Sequence, residues 1–123
     1  MLTKKQIANI VKRASFINEM VKKNIPSKVF QIANKKETIV IDDEIRTVLA
    51  IEDEIIKNEP SQWLRHVFAG IKAGQKDIYI LSGNPLARTK FYEVKREFVN
   101  RIYGCCIYKG LVSYEDILSG SPY

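Results

Sequence analysis

The sequence predicts an all-α fold, a small helical bundle with a C-terminal helix-turn-helix. Apolar residues recur three and four positions apart through most of the 123 residues, which is the spacing of a buried helix face. Residues typical of helix starts and ends separate these stretches. Only residues 38–41 form a β-branched run, so we expect a short extended linker or a lone strand there.

The N-terminal part of the chain predicts one long helix and one short helix. Thr3 is a suitable N-cap, and the long helix is expected to end near Asn24, before Pro26. Ser27 is expected to cap the short helix, which runs to Ala33. The apolar face of the long helix must cover the C-terminal core or pack on a second copy of the chain, and we favour a homodimer. This face consists of Ile7, Ile10, Val11, Ala14, Ile17 and Val21.

Two further helices are expected in the middle of the chain. Asp42 or Asp43 caps the first of them, and Pro60 ends it. Ser61 caps the second, which stops at Gly74. Their expected core residues are Ile45, Val48, Leu49, Ile55, Ile56, Trp63, Leu64, Val67, Phe68 and Ile71.

A helix-turn-helix is predicted at about residues 76–100. A short helix over Lys76–Leu81 is followed by a turn at Ser82-Gly83. Asn84-Pro85 is typical of a helix start, because Asn caps well and Pro suits the first helical position. The apolar stripe of this second helix continues toward Gly110, and a short final element follows.

Composition argues against an enzyme, a membrane protein and a secreted protein. No apolar run approaches the roughly 20 residues of a membrane-spanning helix, and we expect no membrane association. A single histidine, His66, excludes zinc sites built from several His and Cys. The adjacent Cys105 and Cys106 exclude a disulfide framework and indicate a cytoplasmic protein. Since no glycine-rich phosphate loop or serine-nucleophile elbow is present, we expect no catalytic residues, no metal and no cofactor.

Positive charge is concentrated in two blocks. Residues 1–37 hold 9 Lys and Arg against 2 acids, and residues 61–110 hold 9 against 3. Residues 38–60, between them, hold 2 against 7. Basic blocks on a folded domain favour double-stranded DNA as a partner, although lysines also serve to keep a small protein soluble. The change of composition near residue 38 divides the chain into an N-terminal basic helical segment, 1–37, and a helical domain, 38–123.

The second helix of the predicted motif offers long polar side chains around a buried seam of Leu86, Phe91 and Val94. Polar side chains in the first turns of a recognition helix reach base edges in the major groove, and neighbouring cations neutralise phosphates. Lys72 and Lys76 are expected to contact the DNA backbone if the preceding helix crosses it. The alternative is a basic, solvated helix of a bundle. The candidate DNA-binding residues of the second helix are Arg88, Thr89, Lys90, Tyr92, Glu93, Lys95 and Arg96.

Three short runs carry a resemblance to a known family: Asp77-Ile78-Tyr79-Ile80-Leu81, Leu86-Ala87-Arg88-Thr89-Lys90-Phe91-Tyr92 and Lys95-Arg96-Glu97-Phe98. The segment that contains them, about a third of the chain, resembles the C-terminal part of small transcription activators of Gram-positive temperate phages, the autolysin-regulator (ArpU-like) and late-gene activator (RinA-like) proteins. The resemblance implies a sigma region 4-like helix-turn-helix that binds promoter DNA. Contact with RNA polymerase is one of the roles that stay open for the acidic segment 42–59. The sequence departs from the family in having Ala87 where a helix-start serine is common.

Two other functions stay open. A small-terminase-like protein for DNA packaging or assembly would also use helices and basic patches, and it would form a closed ring. A small nuclease would need clustered carboxylates, which the acidic segment 42–59 contains. Glu52, Asp53 and Glu54 are consecutive and do not share one helix face, so we expect a solvated acidic surface there.

Overall fold

The fold is mostly helical, as predicted, and it includes a small antiparallel hairpin. The computed structural model describes residues 1–80 and 88–119, without the side chains at positions 78, 79, 88 and 89. None of the described helices is both long and apolar enough to cross a bilayer. The elements are α1 Lys4–Lys12, α2 Ala14–Lys22, β1 Ser27–Ile32, β2 Lys35–Val40, α3 Asp43–Asn58, α4 Gln62–Lys72, α5 Asp77–Ile80, α6 Arg88–Tyr108 and α7 Tyr114–Ser119.

The hairpin corrects two predictions. The helix expected to start at Ser27 is wrong, because residues 27–32 form strand β1. The run at 38–41 is no lone strand or linker, because β2 pairs with β1 along its whole length. A helix of six or seven residues is marginal in water, whereas pairing satisfies both backbones and packs Phe30 on Phe16 with ring centroids 4.6 Å apart. The expected division of the chain at residue 38 falls within this hairpin.

Three of the predicted helix starts are confirmed by their caps. The hydroxyl of Thr3 accepts a hydrogen bond from the backbone of Gln6, the carboxylate of Asp42 caps α3, and the hydroxyl of Ser61 caps α4. The single long N-terminal helix is interrupted at Arg13, which separates α1 from α2. This interruption rotates the second half of the predicted apolar face.

Three helices are each followed by a residue in the left-handed backbone conformation. Asn24, Gly74 and Gly110 have φ angles of 55°, 71° and 71°, and they follow α2, α4 and α6. In each case the next residue donates its backbone N–H to a carbonyl of the last helical turn. Gly74 also leaves no room for a side chain, because a Cβ atom there would overlap the backbone of Ser15. The end of α4 is therefore pressed against the start of α2.

Helix α6 lies at the centre of the core and packs on α1, α3 and α4. Phe98 of α6 stacks on Phe68 of α4, with ring centroids 4.7 Å apart. The apolar face of α1 and α2 is buried within the same chain, which is the first of the two alternatives considered above. Because of the interruption at Arg13, Met20 takes the buried position that was predicted for Val21, which is exposed.

The acidic surface of α3 is only partly as expected. Asp53 and Glu54 are exposed, but Glu52 is buried, with 2% of its surface accessible. Successive helix residues point about 100° apart, and Glu52 falls on the side of Val48 and Ile51. Loss of hydration raises the pKa of this carboxyl group to about 8, although the charge of Lys72 opposes the rise.

Candidate nucleic-acid interface

Helices α5 and α6 cover part of the predicted helix-turn-helix. Ile80 at the end of α5 is buried against Gly70 of α4, where a Cβ atom would lie 2.8 Å from the Ile80 side chain. Phe91 and Val94 of the predicted seam are buried as well. The turn and the helix start that were expected at 82–85, together with Leu86 and Ala87, lie outside the described residues.

The predicted DNA-binding residues of α6 differ in exposure. Tyr92 and Arg96 are exposed, and Lys95 is half-buried. Lys90 is also exposed and lies 3.5 Å from the carboxylate of Glu93. An exposed pair of this kind contributes at most about 0.5 kcal/mol, so it does not hold the ammonium group away from another anion. Arg88 and Thr89 belong to the first turn of α6, and their side chains lie outside the described residues.

A cavity of about 340 Å³ brings predicted and unpredicted residues together. Lys76 from the α4–α5 turn lines it with Tyr92 and Lys95 from α6. Lys12, at the end of α1, lines the same cavity and was not predicted as a site residue. The basic N-terminal block was a signal for such a residue, but the position of Lys12 depends on how α1 packs against α6.

Positive charge is partly desolvated at this cavity. Burial lowers the pKa of Lys95, the charge of Asp77 opposes that effect, and the charge of Lys12 adds to it. An ammonium group that has lost hydration next to a second cation is stabilised by an incoming anion. The lining of the cavity holds the ammonium groups of Lys12, Lys76 and Lys95 and the carboxylate of Asp77, so its net charge is positive.

The two predicted scaffold lysines occupy different surroundings. Lys76 is exposed beside the cavity. The ammonium group of Lys72 pairs with the carboxylate of Asp53 on α3, and 22% of the Lys72 side chain is exposed. Its backbone carbonyl accepts a hydrogen bond from the side chain of Asn18. Lys72 is thus directed toward α3, while Lys76 faces the cavity.

Arg101, in the second half of α6, is engaged by two carboxylates, whereas Lys109 forms only an exposed pair like that of Lys90. Arg101 pairs with Glu59 and Glu97, and Lys109, just beyond the helix, lies 3.5 Å from Glu54. The Glu59 side chain is only 5% exposed, and it also accepts a hydrogen bond from a backbone N–H at the start of α4. The first half of α6 is therefore the part of the helix whose cations face the cavity and solvent.

The cysteines and the histidine do not line the cavity that holds Lys12, Lys76 and Lys95. Cys106 is buried and Cys105 half-buried in α6, and His66 is exposed on α4. Within residues 1–80 and 88–119, no three His, Cys, Asp or Glu side chains are arranged to hold a metal ion. Comparison of the chain with models of protein families, with curated proteins and with solved structures gives no match.

Proposed function

We propose that this protein is a sequence-specific DNA-binding transcriptional regulator of phage or prophage origin, which reads the major groove with the first half of α6. The observation that carries the proposal is the meeting of Lys12, Lys76 and Lys95 around Tyr92. These cations come from three separate parts of the chain and flank the exposed side of a helix whose seam is buried. An α-helix fits the major groove, where its flanking cations face phosphates.

The proposal assigns separate roles along α6. Arg88, Lys90 and Tyr92 lie in its first turns, where a recognition helix contacts base edges. Lys95 and Arg96 lie about one to two turns further on, where the helix leaves the groove and meets the backbone. Lys12 and Lys76 contact phosphates from the side. The proposal includes a homodimer on paired half-sites and contact with RNA polymerase.

Alanine variants should separate the two roles. We expect Arg88→Ala to weaken binding to the preferred site by roughly 1–3 kcal/mol and to change nonspecific binding little, because base contacts carry the discrimination. We expect Arg96→Ala to weaken both equally and to lower the slope of log affinity against log salt by about 0.9, the effect of one phosphate contact. The measurement is a titration of each variant against the selected site and a scrambled duplex at several salt concentrations.

Lys109→Ala is the matched control, since it removes the same charge about 28 Å further along the axis of α6 than Lys90. It should bind like the parent. If Arg88→Ala and Arg96→Ala also bind like the parent, the basic surface serves only solubility and the proposal is wrong. A closed ring in solution would instead favour the DNA-packaging alternative.

A further inference from the structure

The β1–β2 hairpin carries a second group of exposed cations. Lys28, Lys35 and Lys36 are all exposed. The one acidic residue in the sequence of this hairpin is Glu37, which accepts two hydrogen bonds from the guanidinium of Arg13, at 2.7 and 2.8 Å. Glu37 is paired with Arg13, the residue after α1. The remaining charge that the hairpin presents to solvent is therefore positive.

The hairpin is held in a fixed orientation on the helices. Phe30 and Glu37 lie opposite each other in the register and therefore share one face of the hairpin. On that face the ring of Phe30 packs on Phe16. The carboxylate of Glu37 forms a bidentate pair with the guanidinium of Arg13, which restricts the orientation of both side chains. Ile39 on the same face is buried. The tip, Ala33 to Lys36, is exposed.

Lys12 and Arg13 connect the hairpin to the cavity beside α6. Lys12 lines the cavity that Lys95 also lines, and Arg13, the next residue, holds Glu37 of the hairpin. The hydrogen bond from Arg13 lowers the pKa of Glu37, and the charges of Lys12 and Lys35 lower it further. The end of α1 therefore contacts both the cavity beside α6 and the hairpin.

We propose that the tip of the hairpin is a second DNA-contacting element, in which Lys35 and Lys36 bind backbone phosphates beside the segment that α6 reads. The inference rests on the function proposed above. Duplex DNA carries about one negative charge per 1.7 Å of its axis, so exposed lysines on an element next to the recognition helix meet further phosphates. Lysine acts as a point charge toward phosphate, and we therefore assign affinity, and no choice of sequence, to this contact.

The first test is the double variant Lys35→Ala/Lys36→Ala. It should bind both the preferred and the scrambled duplex more weakly than the parent, and its salt slope should be lower by about 1.8, as expected for two phosphate contacts. Between 50 and 200 mM salt the parent should therefore lose about ten times more affinity than the variant. Both side chains are exposed, and unchanged melting and circular dichroism would show that the variant is folded.

The matched control is Lys57→Ala/Lys109→Ala, which removes the same charge from two other exposed positions. Lys57 lies near the end of α3, about 21 Å along that helix from its start next to the hairpin. This variant should keep the salt slope of the parent. Equal losses in the two double variants would mean that only the net charge of the protein matters, and the inference would be wrong.

A series of duplexes that contain a single half-site, shortened by one base pair at a time from either end, locates the contact of one copy of the chain. The parent should bind the longer duplexes more tightly than Lys35→Ala/Lys36→Ala does. This difference in affinity should disappear once base pairs are removed from one end and persist when they are removed from the other. The effect of Arg96→Ala should remain in both series. A difference that persists on the shortest bound duplex from both ends would overturn the inference.

The outcomes for the hairpin and for α6 are separable. If Arg96→Ala weakens binding while the hairpin variant binds like the parent, the hairpin inference fails and the proposed function stands. If neither change affects binding, both fail. If the hairpin variant binds DNA normally but has a lower mass in solution, the hairpin is a contact between copies of the chain, and the inference is wrong.

Discussion

Glu52→Gln is expected to raise the free energy of unfolding by about 3 kcal/mol at pH 7. The carboxyl group of Glu52 is buried in α3, and its pKa is raised from 4.5 to about 8 chiefly by loss of hydration. At pH 7 the unfolded chain carries this group ionised, so folding must take up a proton or bury a charge. Glutamine keeps the shape of the side chain and removes that cost.

The effect has a defined dependence on pH. Because the folded pKa lies above the unfolded one, the contribution of Glu52 is fully present below about pH 4.5 and is lost as the pH rises toward 8. The free energies of unfolding of parent and variant, measured in urea, should therefore agree near pH 4 and differ by about 4–5 kcal/mol at pH 9. Hydrogen bonds lower the pKa values of Glu37 and Glu59. These two carboxylates titrate alike in parent and variant, so their contributions cancel in the difference in stability.

Glu54→Gln is the control for this prediction. Glu54 is two residues further along α3, its side chain is 57% exposed, and it carries the same charge. In the Glu54→Gln variant, the free energy of unfolding should change between pH 4 and pH 9 by the same amount as in the parent. A Glu52→Gln variant whose stability follows the parent at every pH would show that the carboxyl group of Glu52 is hydrated in solution.

Phe98→Ala is expected to lower the free energy of unfolding by about 3–5 kcal/mol. The ring of Phe98 is fully buried in the middle of α6 and stacks on Phe68, so its removal loses apolar burial and leaves a cavity. A small domain is stable by about 5–15 kcal/mol in total, and the variant should be partly unfolded at room temperature if the parent lies at the low end of this range. Urea unfolding followed by circular dichroism measures the difference.

Tyr108→Ala tests whether burial, and not aromatic character, is the cause. Tyr108 is on the same helix and is 92% exposed, so its substitution should change stability by at most about 0.5 kcal/mol. Similar values for the two variants would contradict the packing described for α6. Phe98→Ala should also reduce DNA binding by unfolding, whereas Arg96→Ala should reduce binding at unchanged stability.

Helix starts and stops were predictable because each depends on a few neighbouring residues. Thr3, Asp42 and Ser61 cap the helices that follow them, and Gly74 ends α4 in the left-handed conformation that glycine adopts easily. The hairpin was missed because its turn, Ala33-Asn34, lacks the usual glycine, although Ala33 takes the left-handed φ of 55°. Its stability depends on packing against helices elsewhere in the chain, which no local pattern indicates.

The candidate interface was predictable only within one stretch of sequence. Lys76 and Lys95 belong to the predicted motif, and both line the cavity. Lys12 lies more than sixty residues earlier and joins them because α1 packs on α6. Lys72 was grouped with Lys76 on the scaffold side of the predicted motif, but α4 ends between them and the chain turns at Gly74. The burial of Glu52 likewise depends on the orientation of α3, which its acidic neighbours do not reveal.

The contact between Gly74 and Ser15 bears on the entropy of binding. The turn that carries Lys76 rests against the backbone at the start of α2, two residues after the end of α1 that carries Lys12. The contact ties these two backbone segments together, so the spacing of the segments that carry the two lysines is set before any ligand arrives. A preorganised surface loses little conformational freedom on association. Its complexes should accordingly differ in lifetime more than in the rate at which they form.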